Sequence, residues 1–169
     1  TFGTGGKAQI THPTHKLYGQ DMLVQADGKI VVGGELNYAQ WQSTFAIGRL
    51  NADGSPDTSF GNNGLFTLDY FSHMLEPSGL TLDAAGNILL VGSREQGWSG
   101  DSSLAVVRVT AQGQLDTTFV DPLTSYEGVI AIDTMPGKAE FARDVLVQSD
   151  GKLIVTGYGG GWPTESVIA

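Results

Sequence analysis

The stretch LVQADGKIVVGG, residues 23–34, decides the fold, because it consists of two short apolar runs joined by Asp27-Gly28. An Asp-Gly pair between apolar runs is a strong signal for a β-hairpin, and it predicts a two-residue turn with positive φ at both central residues. The apolar residues are consecutive, which indicates strands that are covered on both faces. The runs are too short for a helix, and glycine closes each of them.

This hairpin is the centre of a longer internal repeat. It returns as TLDAAGNILLVG at residues 81–92 and as LVQSDGKLIVTG at residues 146–157. The downstream text FAIGRL-NADGSPDTSFG, residues 45–61, returns as LAVVRV-TAQGQLDTTF at residues 104–119. The third copy ends in VIA, residues 167–169, which we match to FAI, and TFG at residues 1–3 matches SFG at residues 59–61. A period of about 60 residues with several short strands in each unit predicts a β-propeller.

We predict four strands, A to D, in each unit, and a single all-β propeller segment over residues 1–169. The repeats fall at about residues 1–57, 58–116 and 117–169, and the last one is truncated. The predicted strands lie at residues 21–25, 29–35, 44–50 and 65–69, then 80–83, 87–93, 103–109 and 129–133, then 144–148, 152–158 and 166–169. Residues 7–11 are predicted to form a strand D that has no strands A to C before it.

The composition limits the classes of partner and chemistry. The 169 residues are 40% hydrophobic and include 24 Gly but only 6 Pro, which suits one domain with many tight turns. A net charge of −9 disfavours binding to nucleic acid and to anionic membranes. The absence of Cys excludes disulfides and thiol catalysis. No apolar stretch approaches the roughly 20 residues of a membrane-spanning helix, so we expect no membrane insertion.

Three blades are too few for a closed propeller, because propellers usually have four to eight. The chain also starts and stops within repeats. We therefore expect an incomplete ring with one of two explanations. The chain is either a fragment of a larger propeller, or it self-assembles so that two chains give six blades and residues 7–11 of each chain complete the partner's last blade.

The repeat text resembles a known bacterial family. The segment FAIGRLNADGSPDTSFGNNG, residues 45–64, with DGKIVVGG upstream, is similar to the delta-60 repeat, and TFGTGGK at residues 1–7 looks like the tail of one more copy. The resemblance covers nearly the whole chain as three periods. It implies a propeller of the NHL type and an extracellular or cell-surface location in a bacterium, and it implies no reaction.

Several repeated residues are predicted to be structural. Arg49 and Arg108 occupy the same place in strand C, and Asp57 and Asp116 follow the next loop, so we expect one Arg–Asp ion pair in each C–D connection. The phenylalanines at positions 2, 60 and 119 are expected to anchor blade packing. The text from Asn51 to Asp57 partly resembles a calcium loop, but it lacks the terminal Glu, and Asn and Asp also cap turns. No metal site is predicted.

The variable loops carry the candidate binding residues. Antiparallel strands place the A–B and C–D turns on one edge of a blade and the B–C and D–A loops on the other. One tryptophan falls in each B–C loop, at Trp41, Trp98 and Trp162, and the three histidines fall in D–A connections, at His12, His15 and His73. Exposed aromatic rings on this edge suit stacking against sugar rings. The alternative, which remains open, is that each tryptophan is buried between blades.

These features predict a non-enzymatic surface scaffold or interaction module with a glycan or protein partner and no cofactor. No G-x-S-x-G motif is present, and His12-x-x-His15 contains Pro13 and indicates no third metal ligand. A carbohydrate-binding propeller is the first alternative. A hydrolase or lyase on the same loop edge is the second, and its candidate carboxylates are Glu35, Glu76, Asp101 and Glu165.

Overall fold

The computed structural model describes residues 1–39, 42–68, 75–95, 101–120, 127–160 and 165–168. These residues contain eleven β-strands and no helix. The strands are β1 Lys16–Val24, β2 Ile30–Ala39, β3 Gln42–Leu50, β4 Leu65–Thr67, β5 Leu75–Leu82, β6 Ile88–Glu95, β7 Ser102–Val109, β8 Val129–Ile132, β9 Glu140–Val147, β10 Leu153–Gly159 and β11 Glu165–Ile168. Accordingly, the described part of the chain has no helix that is long and apolar enough to cross a membrane.

The strands form three antiparallel sheets in which consecutive strands are neighbours. The first sheet contains β1 to β4, the second β5 to β8, and the third β9 to β11. Each sheet is one blade, with its strands in the predicted order, A to D in the first two blades and A to C in the third. The first strands of adjacent blades pack against one another, β1 against β5 and β5 against β9. The predicted fold class is therefore confirmed: the described residues form an all-β propeller segment of three blades that does not close into a ring.

Two apolar clusters hold the three blades together, and the second blade contributes to both. Ile88 and Leu90 of β6 belong to the cluster between the first and second blades, whereas Leu89 and Val91 belong to the cluster between the second and third. All four side chains are at most 1% exposed. This arrangement explains the consecutive apolar residues, because alternate side chains of a strand point to opposite faces and both faces are covered.

The A–B turns differ from the prediction. The Gly28 amide donates to the Gln25 carbonyl at 2.9 Å, the Gln25 amide donates to the Lys29 carbonyl at 2.8 Å, and of the turn residues only Gly28 has positive φ, at 84°. This geometry is a three-residue loop, a type I turn followed by a left-handed glycine. The predicted two-residue turn is wrong, because Asp27 has no positive φ and its carboxylate instead accepts the Lys29 amide at 3.1 Å.

The predicted strand at residues 7–11 is also wrong, because no strand C lies beside it to supply hydrogen bonds. The preceding turn nevertheless repeats the end of the first blade. The Gly6 amide donates to the Phe2 carbonyl at 3.1 Å, as the Gly64 amide donates to the Phe60 carbonyl at 2.8 Å. The N-terminal segment, residues 1–10, thus folds locally as the tail of a further repeat.

The N-terminal segment contacts the first blade in the same way as the end of the first blade contacts the second blade. The Gly3 amide donates to the Asp53 carbonyl at 2.6 Å, and the Gly61 amide donates to the Gln112 carbonyl at 2.9 Å. Asp53 and Gln112 occupy the same position of the repeat. The hydrogen bond that joins the first blade to the second is therefore repeated between the N-terminal segment and the first blade.

The register of the third blade corrects the sequence alignment by one residue. Ile168 pairs with Thr156, which corresponds to Gly33, and Gly33 pairs with Ile47. Ile168 is thus the equivalent of Ile47, and VIA at residues 167–169 corresponds to AIG and not to FAI. The three apolar residues fit both alignments equally well, so the sequence could not distinguish them. The hydrogen-bond ladder does distinguish them.

Candidate functional site

The predicted Arg–Asp pairs are formed in both complete blades. Arg49 Nε lies 2.7 Å from Asp57 Oδ2, and Arg108 Nε lies 2.7 Å from Asp116 Oδ2. Each guanidinium also lies over a phenylalanine ring, with 4.5 Å from Cζ to the ring centroid of Phe60 or Phe119. We call each Arg–Asp–Phe group a latch. The latch fixes the C–D connection by a hydrogen-bonded ion pair and a cation–π contact.

The first latch also joins two blades. Arg49 Nη1 donates to the Ala111 carbonyl of the second blade at 2.7 Å, a bond that spans 62 positions of the chain. In the second latch, Arg108 Nη2 donates within its own connection, to Thr118 Oγ1 at 3.4 Å. The Arg49 side chain is 7% exposed and that of Arg108 is 25% exposed. The sequence predicted the pairing within each blade, but it contained no signal for the bond between blades.

The environment of the latch carboxylates keeps them ionised. Burial acts to raise the pKa of Asp57, but hydrogen bonds from Ser59, the ammonium of Lys29 and the charge of Arg49 hold that pKa well below its ordinary value. Lys29 Nζ lies 3.2 Å from Asp57 Oδ2, and Ser59 Oγ lies 2.6 Å from Asp57 Oδ1.

The second latch carboxylate behaves in the same way. The Thr118 hydroxyl, 2.6 Å from Asp116 Oδ1, is the main reason that the pKa of Asp116 is lowered. Burial opposes this shift, while the Thr118 amide and Arg108 add to it. Ionisation of both carboxylates is therefore coupled to the folded geometry of the C–D connection.

The carboxylates that resemble part of a calcium loop serve as turn caps. Asp53 Oδ1 accepts the Ser55 amide at 2.9 Å and the Ser55 hydroxyl at 2.6 Å. Asp57 accepts the latch bonds described above. Within the described ranges, no group of three or more His, Asp or Glu side chains is arranged to hold a metal ion.

The opposite edge of the first blade carries an aromatic cluster. The rings of His12 and His15 stack with 5.1 Å between centroids, and the edge of His15 meets Tyr38 at 4.9 Å. His12 Nδ1 accepts the amides of Thr14 and His15 at 3.3 and 3.2 Å, which shapes the turn that presents the two rings. We call His12, His15 and Tyr38 the rim cluster. It joins the segment before β1 with the end of β2, next to the first B–C loop.

The rim cluster contains two of the six predicted ligand-binding residues. His12 and His15 are half-buried and in mutual contact, and Tyr38 is 36% exposed. Trp41, Trp98, Trp162 and His73 lie outside the described residues, so their roles stay predictions. Tyr38 lies near the end of β2, next to the first B–C loop, as expected for a residue near these loops.

Two of the four candidate carboxylates, Glu35 and Glu76, interact through their charges. Burial raises the pKa of Glu35, a hydrogen bond with Ser43 opposes this, and the charge of Glu76 on the neighbouring blade raises it further. Glu165, in contrast, begins β11 of the third blade, and Asp101 directly precedes β7. Folding thus shifts the pKa of Glu35 upward, in the direction opposite to the shift of the latch carboxylates.

Comparison with known families agrees with the fold. A family model described as a domain of unknown function (DUF5122) beta-propeller matches residues 25–60 and 86–119. The chain carries β-propeller repeats. Each matched span begins in or beside an A–B turn and ends at the phenylalanine of a latch, so the similarity includes both latches. No curated protein and no solved structure matches the chain.

We expect Arg49→Ala to lower the free energy of unfolding by about 3 kcal/mol, because it leaves buried Asp57 without its guanidinium partner. Arg108→Ala should cost only about 1 kcal/mol, since that pair is more exposed. Arg49→Lys keeps the charge but loses the planar fork that reaches Ala111, so it should fall between wild type and Arg49→Ala. Urea unfolding at one protein concentration measures all three. Equal losses at both arginines would contradict an inter-blade role for Arg49.

The lowered pKa values of Asp57 and Asp116 predict acid sensitivity. Their stabilising contribution is fully present above the ordinary Asp pKa of about 3.9 and is lost as pH falls towards the lower folded-state values. The free energy of unfolding should therefore drop between about pH 5 and pH 2. Asp57→Asn should be less stable at pH 7 and show a shallower acid decline.

The matched control is Asp27→Asn, a carboxylate of the A–B turn whose side chain is 57% exposed. Its acid decline should parallel that of the wild type in urea unfolding series at fixed pH. An Asp57→Asn protein with the same acid slope as the wild type would show that the first latch does not control this pH dependence.

Proposed function

We propose that the chain is a non-enzymatic scaffold or interaction module of a secreted, surface-exposed bacterial protein of the delta-60 repeat type. The β-propeller repeats support the general role, because such domains act as interaction or scaffold modules. The observation that carries the proposal is the use of the repeated ionisable residues. In both latches the Arg and Asp side chains form an ion pair within the C–D connection, and the first latch also holds neighbouring blades together.

The latch is a structural element for a physical reason. A catalytic arginine needs donors that are open to a substrate, whereas Arg49 is 7% exposed and donates to Asp57 and to the Ala111 carbonyl. A second copy at the same repeat position makes the same ion pair and the same aromatic contact. Repetition of one arrangement in successive blades suits a stability role, because every blade has the same junction to secure.

The surface location rests on the similarity of residues 45–64 to the delta-60 repeat, and protease treatment of intact cells tests it. In the bacterium that encodes the chain, antibodies against residues 1–169 should lose their signal after external protease. A cytoplasmic protein of the same cells should remain intact as the control. A signal that survives on intact cells and disappears only after lysis would contradict the surface location.

A carbohydrate-binding role is the second candidate, and the rim cluster supports it. Three aromatic side chains, two from the segment before β1 and one from the end of β2, lie in contact at the variable edge of the first blade. The apolar face of a sugar can stack on such rings while ring nitrogens and the Tyr38 hydroxyl bond its hydroxyl groups. One stacking contact contributes only about 1 kcal/mol beyond burial, so a single site would bind weakly. Trp41 remains a predicted further member of this site.

A glycan array followed by titration with the best soluble oligosaccharide tests this candidate. Tyr38→Ala and His15→Ala should each weaken binding at least tenfold in calorimetry, which a soluble ligand keeps free of avidity. Tyr158→Ala is the matched control, because Tyr158 stacks on Phe141 in the third blade, 5.1 Å between centroids, away from the rim cluster. Binding that is lost equally in the control, or no binding to any glycan, would contradict the carbohydrate role.

A further inference from the structure

Neither of the two segments that build the rim cluster contains an acidic residue. Residues 8–20 include His12, His15 and Lys16, and residues 36–48 carry no charged side chain at all. All 18 Asp and Glu residues of the chain lie elsewhere, and the formal net charge of the chain is −9. The rim cluster is therefore built from basic and neutral sequence in an otherwise acidic protein.

The acidic residues that lie nearest to these segments in the sequence are engaged in other contacts. The carboxylate of Asp21 accepts the amides of Met22 and Leu80, at 2.8 and 2.9 Å, and the second of these bonds reaches the neighbouring blade. Burial raises the pKa of Glu35, whose carboxylate is hydrogen-bonded to Ser43. The charged form of Glu35 is thereby less favoured than that of an exposed glutamate. Neither residue belongs to the rim cluster.

Lys16 places a cation beside the rim cluster. It follows His15 directly and begins β1, where it pairs with Asn37, the residue before Tyr38. Lys16 is exposed, and within the described part of the chain it forms no ion pair, in contrast to Lys152. The stem of a lysine is long and flexible, so the ammonium group can approach a ligand that lies on the aromatic rings.

His12 adds a hydrogen-bond donor to this region. Its Nδ1 accepts the amides of Thr14 and His15, at 3.3 and 3.2 Å, so the neutral ring carries its proton on Nε2. The rim cluster and Lys16 thus combine N–H donors with one phenolic hydroxyl and include no carboxylate. A sugar hydroxyl both donates and accepts, whereas an ionised carboxylate only accepts. A set of groups dominated by donors therefore suits an anionic ligand.

We propose that the rim cluster and Lys16 bind an acidic saccharide, whose ring stacks on the aromatic side chains and whose carboxylate or sulfate group is held by Lys16 and His12. This inference rests on the carbohydrate-binding role proposed above and specifies the class of sugar. Charge-assisted hydrogen bonds are stronger than neutral ones, so they add to the weak stacking contact. The negative charge of the rest of the protein repels an anionic polymer and so directs it to this region.

Calorimetry with a hexamer of galacturonic acid and with its methyl ester tests the proposal, because the ester keeps the sugar rings and lacks the charge. The wild type should bind the acid at least tenfold more tightly than the ester. Lys16→Gln should weaken binding of the acid about tenfold and leave binding of the ester unchanged, whereas Tyr38→Ala should weaken both. Lys152→Gln is the matched control, because it removes the same charge from a side chain of the third blade that is 76% exposed; it should change neither.

Asn37→Asp is the complementary variant, because it adds a carboxylate opposite Lys16 without removing the lysine. It should weaken binding of the acid and not of the ester. A sulfated neutral hexasaccharide, titrated in parallel, distinguishes a sulfate ligand from a carboxylate ligand. Circular dichroism of each variant checks that the β-sheet structure is retained.

Two kinds of failure are distinguishable. An uncharged sugar that binds as tightly as both acidic sugars would overturn this proposal and leave the carbohydrate-binding role intact, whereas a protein that binds no saccharide would contradict both. Polyglutamate that binds as tightly as the acidic sugars would also overturn the proposal, because it would show attraction to negative charge without recognition of a sugar ring.

Discussion

The constraint on which the structure depends is that a four-stranded blade has two apolar faces and cannot cover either of them alone. The second blade shows the satisfied condition: neighbouring residues of β6 alternate between two clusters, and both sides are filled. Stability in such an array is a sum of each unit and its junctions, so a blade is only as stable as its contacts allow. The same requirement explains the sequence pattern, because strands covered on both faces lose the apolar–polar alternation of a half-exposed sheet.

The latch adds directional hydrogen bonds to the apolar packing, which is itself non-directional. Apolar faces permit small sliding movements, whereas Arg49 has to meet Asp57 and the Ala111 carbonyl at the same time. Close backbone approach adds a second constraint, since the Gly61 amide bonds to the Gln112 carbonyl and a Cβ atom at Gly113 would collide with Gly61. Gly113 also has a positive φ of 79°. The repeated turn sequence thus determines the position of one blade relative to the next as well as the turn itself.

The sequence predicted what is local or repeated, and it missed what depends on a distant neighbour. Hairpins, strand order and the Arg–Asp pairs follow from short motifs and were found. The turn type was missed because Asp-Gly fits both a two-residue and a three-residue loop. The bond from Arg49 to Ala111 spans 62 positions, and no motif marks it. Residues 7–11 have a sequence typical of a strand but form no strand, because a strand requires a neighbouring strand for its hydrogen bonds. His12 and His15 were expected at the variable edge, but the contact of His15 with Tyr38 depends on how the segment before β1 meets the end of β2.

The two edges of each blade therefore serve different physical purposes. At the A–B and C–D edge, side chains and amides are bonded within the repeat and, at Arg49 and Gly61, to the next blade, so a substitution there acts on folding. At the B–C and D–A edge, the rim cluster makes ring contacts among its own members, and we expect substitution there to leave the blade junctions intact.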